Sequence, residues 1–140
     1  MAMRLKNILV GGIAGGFVLL VLVTIFSELS VLVAPYNIAT LGGMRAMDDP
    51  VMMLYFLYPF VFAFAAAFVF DIVQGSLTGK NRTQKGVFYG GLLFMVVTIP
   101  SVFVMASSMT YPIGFYVAQV LEGIIGYPVL GAIFAWLWKL

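Results

Sequence analysis

Of the 140 residues, 64% are apolar and only 9% are charged, with a net charge of +2. A soluble domain is about half apolar and still exposes much of its surface, so the excess here must face something other than water. That excludes a soluble enzyme, a nucleic-acid binder and a disordered tail. The absence of His and Cys further removes disulfides, thiolate and imidazole catalysis, and the usual zinc, haem and iron–sulfur ligand sets.

About 20 helical residues cross a hydrocarbon core of about 30 Å. Four apolar runs reach that length, at about 8–27, 51–70, 86–105 and 114–138. None alternates as a barrel strand would, and unbroken apolar runs satisfy their own backbone groups only as helices. The expected fold is an all-α membrane protein, a single domain over residues 1–140 with four transmembrane helices.

The first run follows Arg4 and Lys6 and is longer than the core of a secretion signal, so a retained anchor is expected. It contains Gly11, Gly12, Gly15 and Gly16, two overlapping G-x-x-x-G patterns suited to close helix packing. The apolar character continues past Glu28 as far as Ala34, so this span is open to extension toward Pro35. Asp49 and Pro50 suit the N-cap and first turn of the second span. Asp71, at the other end of that span, is expected to be a solvated interfacial acid near Lys80, Arg82 and Lys85. Pro59, Pro100 and Pro128 fall inside spans two, three and four and are expected to kink them.

With four spans, both termini and the loop around residue 80 share one side. That side holds Arg4, Lys6, Lys80, Arg82, Lys85 and Lys139, and the other holds only Arg45. The positive-inside rule therefore predicts cytoplasmic termini. Trp136 and Trp138 are expected to anchor the inner interface, with Tyr36, Tyr55, Tyr111 and Tyr116 toward the outer one.

The spacing from Lys6 to Gly11-Gly12 matches that from Lys85 to Gly90-Gly91, and Tyr58-Pro59 with Ala63 matches Tyr127-Pro128 with Ala132. Two related hairpins are the expectation that follows. No cofactor site is expected. Residues 11–16 lie inside a span, not at a strand-to-helix turn, and residues 75–81 lack phosphate-loop spacing.

Glu122 is the one ionisable residue well inside a span, about four residues below the outer edge of the hydrocarbon. A carboxylate at that depth should turn inward or take up a proton. Glu28 ends span one at similar depth, Gln119 lies one helical turn from Glu122, and Arg45 is the basic candidate on that side. Glu122, Glu28 and Gln119 form the candidate intramembrane polar site.

The basic start, Gly11-Gly12-x-Ala14-Gly15, Ala34-Pro35-Tyr36, Met44-Arg45, Lys85-Gly86, Ile99-Pro100 and the closing Trp138-Lys139 resemble uncharacterised four-helix prokaryotic integral membrane proteins of the domain-of-unknown-function type. The resemblance implies a fold and a prokaryotic plasma membrane; it implies no activity. The leading expectation is a non-enzymatic structural or accessory protein, packing against itself or a membrane partner in the bilayer. The alternative is a small oligomeric channel or transporter with Glu122 in its pathway.

Overall fold

The computed structural model describes residues 4–139, which are helical apart from turns and loops, with no strand. Four helices are long and apolar enough to cross a membrane: α1 (Leu5–Val33), α2 (Pro50–Ser76), α3 (Arg82–Ser108) and α4 (Ile113–Leu137). The chain is an integral membrane protein. Most of these helices overshoot the expected run, because polar ends such as Arg82 and Ser108 also wind into the helix. Arg4, Lys139 and the turn at 77–81 share one end of the bundle, here the terminal end. The 34–49 loop and the 109–112 turn make up the distal end.

Lipid-facing and buried stripes are plain on α1. Leu9, Ile13, Phe17, Val21, Ile25 and Leu29 recur every fourth residue and are exposed, while Gly11, Gly12, Gly15, Gly16 and Leu19 are buried. The glycines serve two neighbours. Gly11 and Gly15 meet Phe134, with Trp138 or Leu130 of the α4 end beside it, whereas Gly12 and Gly16 sit against Phe64 and Phe60 of α2. The two interleaved patterns thus place two partners around one helix, where van der Waals contact replaces the missing hydrophobic drive.

Contact between α3 and α4 is closer still. A side chain at Gly86 would strike the Gly131 carbonyl and Ala132, and one at Gly90 would strike the backbone of Tyr127 and Pro128. Here backbone meets backbone. Although the sequence aligns Gly11 with Gly90, Gly90 packs within its own hairpin and Gly11 packs across on α4.

The terminal half closes on an aromatic core. Phe70 packs edge-on to Tyr89 at 5.0 Å and to Trp138 at 5.3 Å, with Phe134 alongside. Tyr89 donates to the Ala66 carbonyl at 2.6 Å, tying α3 to α2. Two expectations need correction here. Asp71 is only 4% exposed, and it accepts from the Trp138 indole Nε1 at 2.6 Å, from Gln74 Nε2 at 3.2 Å and from the Arg4 backbone N–H at 3.3 Å. A buried indole N–H requires an acceptor, and Asp71 faces the end of α4, where Trp138 turns inward. Trp138 is therefore a core residue. Trp136, exposed and under the Arg82 guanidinium, is the tryptophan placed to anchor an interface.

Each mid-span proline follows an irregular turn. In α3, the Ile99 N–H reaches back five residues to the Phe94 carbonyl, and Pro100 comes next. In α4, the Tyr127 N–H likewise reaches the Glu122 carbonyl, just before Pro128. A proline ring presses on the carbonyl four residues back and donates no hydrogen bond, and a wide π-helical turn moves that carbonyl aside. The first stretch of α2, Pro50–Leu57, is wound more tightly as 3-10 helix, and Pro59 follows it.

The α3–α4 contact gives a paired test. Gly90→Leu should lower the unfolding free energy in detergent by about 1–3 kcal/mol, the usual cost of overpacking. Gly91→Leu, one residue on, should not, because a β-carbon there would meet nothing within 4 Å. Equal losses from the two would show that the close approach is not what holds α3 to α4.

Candidate functional site in the distal half

Beyond the three irregular turns the bundle loosens. The Ile99–Ser108 stretch of α3 has no buried residue, and a cavity of about 380 Å³ opens between the distal halves of the helices. Its walls come from α1 (Leu20, Ser27, Glu28), α2 (Met52, Tyr55, Tyr58) and α4 (Phe115, Gln119, Glu122), with Met105 from α3. Tyr36, Ile38 and Met47 of the 34–49 loop reach over its mouth.

The three candidate residues share this cavity. Glu122 lies deepest and is 4% exposed, Gln119 is half-buried one turn above it, and Glu28 is exposed at the rim. Ser27 and Tyr36 pair their hydroxyls at 3.3 Å beside Glu28. Arg45 does not join them. It forms an ion pair with Asp49 at 2.8 Å in the distal loop, four residues along the chain. That bond, first, and the Val51 N–H, second, hold the Asp49 carboxyl below the usual carboxylate range. Among the described residues, no lysine or arginine lines the cavity.

Glu122 starts the π-helical turn of α4, so the same irregularity that accommodates Pro128 also aims its carboxylate. Gly123 abuts the Thr98 hydroxyl and the Phe94 ring, which brings the wide turns of α3 and α4 together. The Tyr58 hydroxyl neighbours both Glu122 and Tyr127, and Tyr127 neighbours Thr98. Phe62 stacks on Tyr127 with ring centroids 4.5 Å apart. Polar groups from α2, α3 and α4 thus meet at one level. Even so, Oε1 of Glu122 is buried without a hydrogen-bond partner among the described residues.

Thr98, Tyr58 and Tyr127 are the members of this cluster that sequence reasoning missed as site residues. Their signal was present, since each stands one or two residues before a mid-span proline. The four glycines of α1 lie elsewhere, in the packed half, where every one is occupied within the bundle. No protein-family model, curated protein or solved structure matches the chain.

Water access to the cavity can be checked directly, because there is no native Cys. Cysteine replacing Ala118, which lines the cavity, should react with a small methanethiosulfonate reagent in detergent. Cysteine replacing Ala135, fully buried in the terminal half, should stay unreacted until unfolding. Equal reactivity of the two would mean that the halves do not differ in their access to water.

Proposed function

We propose that the protein is a small solute carrier that binds its ligand in the distal cavity at Glu122, with both termini in the cytoplasm. One observation carries the reading: Glu122 lines a cavity large enough for a small molecule, and its Oε1 is buried without a partner among the described residues. Intramembrane acids are costly and concentrate at solute and ion pathways, and irregular backbone at that depth is tolerated where it lines such a cavity.

Carrier suits the shape better than channel. Below Glu122 the path is filled by Leu19, Ala63, Leu130, Phe70 and Phe134, all without exposed surface. That packing closes the way to Glu122 from the terminal end, as a one-side-open state of alternating access requires. The glycine stripe of α1 is taken up by α2 and α4 within the bundle.

Orientation rests on charge. The terminal end carries six of the seven basic residues, and basic loops stay in the cytoplasm. The cavity would then open to the outside. In intact cells, a cysteine replacing Met44 should react with a membrane-impermeant maleimide, whereas one replacing Asn81 should react only after permeabilisation. The reverse pattern would invert the carrier.

Proteoliposomes offered a panel of small radiolabelled cations, anions and neutral solutes should take up at least one of them saturably. Glu122→Gln, which keeps shape but loses charge, should abolish that uptake while leaving the thermal unfolding midpoint near the parent value. A panel that moves no faster than into empty liposomes, or uptake untouched by Glu122→Gln, would overturn the carrier reading.

A further inference from the structure

We propose that the cavity takes a small monovalent organic cation, a quaternary ammonium or a similarly diffuse positive centre bearing apolar groups. The inference rests on the carrier reading and names the chemistry of its ligand. Sign comes first. Two carboxylates, Glu122 at the floor and Glu28 at the rim, line the cavity, and among the described residues no basic side chain does. The one basic residue of the distal end, Arg45, is engaged by Asp49. An anion would find two acids and no basic partner here, and a neutral apolar guest would leave Oε1 of Glu122 without a partner.

The kind of cation follows from the remaining walls. A hard inorganic cation takes about six or more oxygen ligands. Besides two carboxylates and the Gln119 carboxamide, the cavity offers only the neutral hydroxyls of Thr24, Ser27, Tyr36, Tyr55 and Tyr58, and among the described residues no three acidic side chains gather into a metal-binding group. Five aromatic rings line it as well: Tyr36, Tyr55, Phe56, Tyr58 and Phe115. The negative faces of such rings attract diffuse, weakly hydrated cations. Met47, Met52 and Met105 supply adaptable apolar surface for the substituents. A volume of about 380 Å³ sits near the small end of ligand pockets, which run from about 300 to 1,000 Å³. One charge on an apolar frame of modest size fits all of these constraints.

Phenyltrimethylammonium and tert-butylbenzene have the same shape and differ by one positive charge, which makes them a direct probe. Binding of labelled phenyltrimethylammonium to the full chain in nanodiscs is measured by equilibrium dialysis, with empty nanodiscs as blank. The neutral isostere and benzenesulfonate are added as competitors. Saturable binding is expected, weakened at least about tenfold by Glu122→Gln, with neither competitor displacing the cation at comparable concentration. Glu28→Gln, at the exposed rim, should weaken it less.

No saturable binding, displacement by the neutral isostere, or unchanged affinity in a folded Glu122→Gln protein would each overturn the cation assignment. If Glu122→Gln does not fold, the isostere comparison in the parent chain decides. The solute panel separates the two failures. Glu122-dependent uptake of an anion or neutral solute retires the cation and keeps the carrier, whereas a silent panel retires both.

Discussion

A bilayer offers no water to satisfy a stray backbone group, so a proline inside a span forces a local solution on its helix. Here three helices make that adjustment at one level, with 3-10 winding before Pro59 and π-helical turns before Pro100 and Pro128. Side chains on irregular turns point where regular helices would not send them. Thr98, Glu122, Tyr58 and Tyr127 consequently converge, with Gly123 small enough to let the two wide turns touch. Two of the four, Thr98 and Glu122, lie on the wide turns themselves, and Tyr58 and Tyr127 begin the regular helix that follows an irregular turn.

That level divides the bundle into two halves of different character. Toward the termini, glycines let backbones and rings approach, and the core of Phe70, Tyr89, Phe134 and Trp138 leaves no room for a solute. Away from the termini, no residue of the last ten in α3 is buried and the space between the helices is open. Rigid packing on one side and a cavity on the other is the asymmetry a binding site needs: firm walls below and an approach above. It also locates flexibility, since segments with few buried contacts open at the lowest cost.

The four spans were legible from composition and run length, because hydrocarbon thickness fixes helix length whatever the sequence detail. Glu122, Glu28 and Gln119 were legible as polar residues at similar depth, and the structure puts all three on one cavity. Rotation about each helix axis was not. Asp71 reads as an interfacial acid by its distance from the loop, yet its direction is set by Trp138, 67 residues away. Periodicity on an apolar helix carries almost no contrast between lipid-facing and core-facing sides, so only contacts distant in sequence reveal which way a side chain turns. The same limit applied to Arg45, whose partner proved to be the local Asp49 and not the acids of the cavity.

Asp71 and Glu122 show how two acids of equal burial can stand for opposite things. Each is 4% exposed. Asp71 receives hydrogen bonds from an indole, a carboxamide and a backbone N–H, and it joins α2 to the ends of α1 and α4. Removing it would strand the Trp138 N–H, a loss of about 1–3 kcal/mol. Glu122 differs: its Oε1 has no partner among the described residues, and the closest backbone contacts of α3 with α4 lie at Gly86, Gly90 and Gly131 on the terminal side. An unsatisfied buried group costs the folded state a comparable amount. An apolar side chain of similar size would avoid that cost, whereas a carboxamide would keep a buried polar group in the same place. Asp71 thus repays its burial through three hydrogen bonds, whereas Glu122 is buried with one carboxylate oxygen unmatched among the described residues.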